Sequence, residues 1–261
     1  MGLAVAGIVF QRQSGVFDTD KIMSSLFRDS FKRLEQPNDK FDTRNDDYVS
    51  IEIIGNTCFV YSASLATPFV FKGSEDISEI YSALEMPPLI LAYCNFDSGG
   101  SYGYVFFENG KKTRRRLLSN EKLTEEGSPK QFELEWLNAE TYIENPDDPP
   151  EKHQKIYFKN NHKIEVSEHN LTWRLLYEAL EKYFGGYPWE EDLPNSKKYY
   201  YSKAFNSAAS LAESKPIKQQ NEIDFSSFIL PSGLGVACAS LAWIIYRRRK
   251  SYLDNQPSED V

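Results

Sequence analysis

Three histidines, His153, His162 and His169, fall within 17 positions of one another beside Glu165 and Glu168, and imidazoles and carboxylates together are what hold a zinc ion. Their spacing argues against that chemistry. No two of them stand three or four residues apart, as ligands sharing a helix face do, and His162 adjoins an Asn160-Asn161 turn that directs it to solvent. No metal ligand and no cofactor is assigned. The basic run Lys112, Arg114 and Arg116 offers a second chemistry, recognition of an anion or an acidic partner, if the three side chains leave one strand on the same face. A third set, Tyr187, Trp189 and Glu190, lies in the acidic, aromatic stretch YPWEED, a composition found on contact surfaces.

Familiar catalytic signatures are missing. The sequence has no Gly-x-x-x-x-Gly-Lys phosphate loop, no Gly-x-Ser-x-Gly elbow, no His-Glu-x-x-His and no Cys-x-x-Cys. The glycine pair in DSGGSYGY reads as a chain reversal between strands. Cys58, Cys94 and Cys238 show neither metal spacing nor a pairing pattern, which excludes a disulfide framework and suits a reducing compartment. Asp and Glu total 38 against 30 Lys and Arg, so the net charge of -8 excludes nucleic acid as a partner of the whole chain. The 38 carboxylates also hide any acid-base pair, since nothing in the sequence marks one as buried.

These residues must be positioned by the elements around them. LAVAGIVF is a continuous apolar run and predicts a buried strand; Asp18 or Thr19 then starts a helix carrying Ile22, Met23, Leu26, Phe27 and Leu34. In YVSIEIIGNTCFVYS the Gly55-Asn56 pair predicts a hairpin in which Ile53 faces Cys58 and Ile51 faces Val60, with Cys58 a core residue. A second helix from Ser74, with Ile77, Ile80, Tyr81 and Leu84 on one face, ends at Pro87 and Pro88, and LILAYCNF follows as a buried strand. Asn109-Gly110 predicts a further hairpin with Tyr104 opposite Arg115, Phe106 opposite Thr113 and Tyr102 opposite Leu117. That register puts the aromatic set inward and projects Lys112, Arg114 and Arg116 together from the outer face.

The acidic middle third contains NPDDPPE, a loop or subdomain boundary near 145–151. A third hairpin is expected at KIYFKNNHKIEV. A helix from Ser167 to Phe184 with Leu171, Leu175, Leu176, Ala179, Leu180 and Tyr183 on one face is stopped by Gly185-Gly186. YPWEEDLPNSKKYYY reads as irregular, and YSKAFNSAASLAES as a final short helix. Hairpins interleaved with helices, and few strand-helix-strand crossovers, predict an α+β fold with a mostly antiparallel sheet of hairpins packed with helices, spanning residues 1–212.

The run SYGYVFFENGKKTRRR, followed by EEGSP and FELEWLNAE, resembles a pattern in loosely related, uncharacterised bacterial proteins, over Ser101 to Glu140. The resemblance implies an α+β domain and no particular activity, so it brings no site residues.

Beyond a polar linker at 213–224, residues 225–246 carry no charge, and Arg247, Arg248, Arg249 and Lys250 follow at once. Pro231 is a natural first helical residue, and Phe228, Leu234, Val236, Leu241, Trp243, Ile244 and Ile245 supply the apolar and interfacial surface. From Pro231 to Tyr246 is 16 residues. At 1.5 Å each that is roughly 24 Å, short of the ~30 Å hydrocarbon core by an amount that Phe228 to Leu230 and snorkelling arginines make up. The segment predicts one transmembrane helix contacting membrane lipid, a basic-then-acidic tail at 247–261, and a globular domain on the cytoplasmic side. LPSG, at 230–233, lacks the threonine of a sortase signal, and MGLAVAGIVF lacks the basic start of a leader and reads as a strand. The expectation is a single-pass membrane-anchored binding module with a protein partner of unknown identity; the alternatives are a tethered enzyme or an immunity-type toxin inhibitor.

Overall fold

The structure, a computed structural model, describes residues 4–12, 16–35, 42–147, 149, 153–160, 162–187 and 195–204. Its frame is a nine-stranded antiparallel sheet. The strands are β1 (Ala4–Gln11), β2 (Phe31–Leu34), β3 (Tyr48–Ile54), β4 (Thr57–Tyr61), β5 (Leu89–Phe96), β6 (Ser101–Glu108), β7 (Lys111–Ser119), β8 (Lys122–Glu126) and, last in sequence, β12 (Lys197–Lys203). Their spatial order is β2-β12-β3-β4-β1-β5-β6-β7-β8. A second, three-stranded sheet holds β9 (Glu140–Glu144), β10 (Gln154–Lys159) and β11 (Ile164–Ser167) in the order β11-β10-β9.

The central strands are apolar on both sides because both faces of the sheet are covered. Helices α1 (Thr19–Leu26), α2 (Ala63–Val70) and α3 (Ser78–Ala83) belong to one core, in which Ile22, Leu65, Phe69 and Ile77 meet Ile8, Phe10, Val60 and Val105. Helices α4 (Gln131–Leu137) and α5 (Glu168–Phe184) build the other, where Phe132, Trp136, Leu175 and Leu176 meet Val9, Phe59, Leu91 and Phe106. Alternate residues of β1 therefore serve opposite cores, as the period-two strand geometry requires. Asp18 caps α1 by accepting from the Lys21 amide at 3.0 Å, Ser167 caps α5, and Gly185, at φ +80°, closes α5 in the left-handed conformation.

Several expected elements are present: the Gly55-Asn56 hairpin has the register Ile53 opposite Cys58 and Ile51 opposite Val60. Others differ. The first helix stops at Leu26, where Phe27 turns extended, and Leu34 lies on edge strand β2 opposite Tyr200. Helix α2 carries Pro68 in its interior, which breaks the pattern that would announce it. Helix α3 begins at Ser78 rather than Ser74, after Asp76 accepts from the Ser78 amide at 2.9 Å. The middle third holds β8, α4 and β9, none of which was expected, and the stretch after Glu144 leads into β10, the pairing partner of β9. Residues read as irregular or helical, Lys197–Lys203, form β12, whose partners β2 and β3 stabilise an otherwise weakly patterned KKYYYSK. No helix among the described residues is long and apolar enough to cross a membrane; the span at 225–246 and its basic flank lie outside them.

One row of mutually opposed residues crosses eight strands on the α5 side: Tyr200, Ser50, Tyr61, Gly7, Tyr93, Tyr104, Arg116 and Glu125. Burial pushes the phenols of Tyr61, Tyr93 and Tyr104 well above the usual 10.0, with nearby carboxylates adding to the shift. A raised folded-state value means the unfolded chain releases these protons first. The stabilisation is therefore complete below pH 10 and is lost as pH rises through the shifted values. Three such groups predict that unfolding free energy falls by about 4 kcal/mol per pH unit above pH 10, at about 1.4 kcal/mol per unit each. Urea titrations between pH 9 and 11.5, followed by tyrosinate absorbance, measure it; a flat profile would show that the phenols ionise within the native state.

Candidate functional site

The basic strand does not form the expected outer face. A β-bulge between Phe106 and Phe107 places Lys112 opposite Phe107 but Arg114 opposite Phe106, Arg115 opposite Val105 and Arg116 opposite Tyr104. The extra residue, Thr113, shifts the later register by one, so that Arg115 joins Lys112 on the α2 face while Arg114 and Arg116 turn to the α5 face. Gly127, at φ +73°, lies against the bulge, where an added Cβ would sit 2.1 Å from the Thr113 carbonyl oxygen.

All three arginines are buried and partnered. Arg114 Nε donates to both carboxylate oxygens of Glu133, at 3.1 and 2.9 Å, and its Nη2 pairs with Glu125. Arg116 donates to Thr172 Oγ1 at 3.1 Å and to Glu125 at 2.7 Å, tying β7 to α5. Arg115 donates to the carbonyls of Val70 and Phe71, at 2.9 and 3.0 Å, and so satisfies acceptors that the end of α2 leaves open. Lys112 reaches Gly73 O at 3.0 Å and Glu126 at 2.5 Å. Burial raises the Glu125 carboxyl, but the guanidinium groups of Arg114 and Arg116 more than offset this and hold it below the usual carboxylate range. The arrangement is a clamp joining sheet, α2, α4 and α5, and its cations are already engaged.

Tyr187 is buried at the end of α5, its ring 4.6 Å from that of Tyr177. Trp189 and Glu190 lie outside the described residues. His162 stacks on Phe158 and contacts Glu165 at 2.8 Å, while His169 meets the Tyr102 ring edge-on. No group of three or more potential metal ligands is clustered among the described residues.

A different place has the geometry of a binding site. Strands β12, β3 and β4 extend beyond the cover of α5, and a cavity of about 270 Å³ opens there, lined by Thr43, Ser50, Glu52, Tyr61, Lys198 and Tyr200 among others. Glu52 forms its floor. Only 1% exposed, its carboxylate accepts from Tyr61 Oη at 2.5 Å and from the Ser196 hydroxyl, with Lys198 Nζ at 3.6 Å. Cross-strand pairing explains the convergence: Lys198 lies opposite Glu52 and Tyr200 opposite Ser50, which lies opposite Tyr61. Thr43 joins the group by donating to the Ala4 carbonyl at 3.0 Å.

No protein-family model, curated protein or solved structure matches this chain. The site is therefore judged by its chemistry.

Sequence reasoning missed it because Glu52 sits in YVSIEII, where a charged residue in an alternating strand reads as solvent-facing. One signal was available. Ser50 and Glu52 are the polar positions of a strand whose partner, TCFVY, is apolar on both faces; with both faces of the partner buried, those polar residues must be covered as well.

Proposed function

We propose that this chain is a non-enzymatic binding protein whose α+β domain takes a small ligand bearing amine or hydroxyl groups in the Glu52 cavity, and whose segment 225–246 holds it at a membrane. The observation carrying the first half is the buried Glu52 carboxylate at the base of a concavity ringed by hydroxyls. A small space with a few convergent polar groups is what a metabolite site requires. The groups nearest at hand favour binding over turnover. The Tyr61 phenol stays protonated as a donor, and the thiols of Cys58 and Cys94 lie in the opposite core, where burial drives them far above their usual range. The uncharged run and its Arg247 to Lys250 flank support the second half.

One preparation tests both halves. Full-length protein reconstituted with phospholipid vesicles is expected to float with them. On those vesicles, a panel of free amino acids, amino sugars and polyols is expected to include one class that raises the melting temperature; saturation at a hundredfold excess over Kd corresponds to about 2.7 kcal/mol. Glu52→Gln and Lys198→Met should abolish that rise while flotation persists. No rise with any class, or a rise surviving both substitutions, removes the cavity from the role; protein left in the aqueous phase removes the anchor.

A further inference from the structure

We propose that the exposed edge of the small sheet, strand β9, pairs with an extended basic segment of a partner protein. Among the described residues β9 is hydrogen-bonded to β10 alone, and all five of its residues, Glu140 to Glu144, are exposed. An unpaired edge carries a row of free amide and carbonyl groups to which another chain can add.

The strand register says what kind of chain. Tyr142 lies opposite Ile156 and Glu140 opposite Phe158, which lies opposite Glu165. These residues, with Glu144, share the face turned away from α5. The lysines of β10 go to the other face: Lys159 Nζ sits 4.1 Å from the Trp136 ring centre and Lys155 Nζ 4.5 Å from that of Tyr157, whose ring belongs to the α5 core. Charge is thereby segregated across a sheet only three strands wide. The outward face combines carboxylates with an aromatic platform, in which His162 stacks on Phe158 at 3.7 Å and 12° and Tyr142 closes against both rings. Tyr142 donates to Glu165 at 3.3 Å, which fixes the phenol, and the residue stays 37% exposed.

A second copy of this chain is a poor occupant. Antiparallel pairing of β9 with itself about Tyr142 would set Glu140 opposite Glu144 at both ends, and like charges directly opposed in a ladder destabilise it. A segment with Lys or Arg at positions i and i+4 meets Glu140 and Glu144 with opposite charge, and an Arg at i+2 can lie over the Tyr142 ring. The partner is thus a basic β-strand of alternating pattern.

The test uses the full chain and a fluorescent seven-residue peptide alternating arginine and threonine, followed by anisotropy. Binding at low salt is expected to weaken at least about tenfold with Glu140→Lys/Glu144→Lys, both sites being exposed so that the fold is undisturbed. A peptide N-methylated at alternate residues keeps its charge but cannot form the ladder, and is expected to lose binding by a similar factor. Equal binding of the methylated peptide, or of one with glutamate in place of arginine, would overturn strand addition. So would failure of the arginine peptide to bind at low salt.

Discussion

Glu133→Ala is expected to destabilise the domain by about 3 kcal/mol, because buried Arg114 loses both acceptors of its Nε and keeps Glu125 and the Gly127 carbonyl on its Nη atoms. Glu133 is fully buried and Arg114 only 2% exposed, so neither can turn to water when the other is removed. With a total stability of about 5–15 kcal/mol for a domain, one such change removes a large fraction of it. The pair itself is a different matter. Desolvating two ions costs about what their attraction returns, so Arg114→Met/Glu133→Leu together should lose far less than either alone. A double-mutant cycle in urea measures the difference. A loss below about 1 kcal/mol for Glu133→Ala would show that water reaches Arg114, and the clamp would then be a surface ion pair of small worth.

Gly7→Ala is expected to be as damaging, at about 3 kcal/mol, because the added methyl meets main chain rather than a movable side chain. An ideal Cβ at Gly7 would stand 2.1 Å from the carbonyl oxygen of Val60 and 3.0 Å from its carbon. Gly7 is central in β1, opposite Tyr61 on one side and Tyr93 on the other. Relief requires β4 to move away from β1, and β4 carries the phenol that holds Glu52. The variant should therefore lose ligand-induced stabilisation as well as intrinsic stability. Ala6→Gly, one residue away on the opposite face, is the control: it alters the same strand without crowding β4 and should leave the cavity intact. An unchanged melting temperature for Gly7→Ala would mean that β1 and β4 separate without penalty.

Much of the architecture was legible because it rests on local rules. The Gly55-Asn56 turn fixed its hairpin register, LAVAGIVF and LILAYCNF announced buried strands by length and composition, and α5 declared itself from its cap to Gly185. What escaped depends on contacts distant in sequence. KKYYYSK has neither strand alternation nor an apolar majority and becomes β12 only because β2 and β3 await it. The Asn109-Gly110 hairpin was legible but its register was not. The turn sets the Phe107–Lys112 pair, and the bulge at Thr113, accommodated by Gly127 from a different strand end, rotates every later side chain to the opposite face. That single insertion moved Arg114 and Arg116 off the face they were expected to share with Lys112 and into the buried clamp. Glu52 was hidden for a related reason: its partners, Tyr61, Ser196 and Lys198, include two that lie more than 140 positions away.

The insertion of β12 between β2 and β3 has a consequence for biogenesis. Its residues are among the last of the domain to leave the ribosome, yet the cavity needs Ser196, Lys198 and Tyr200. A nascent chain halted before them would expose β2 and β3 as open borders and leave the cavity without one of its walls. Such far-reaching closure is slow, and the waiting intermediate is the species a chaperone would meet.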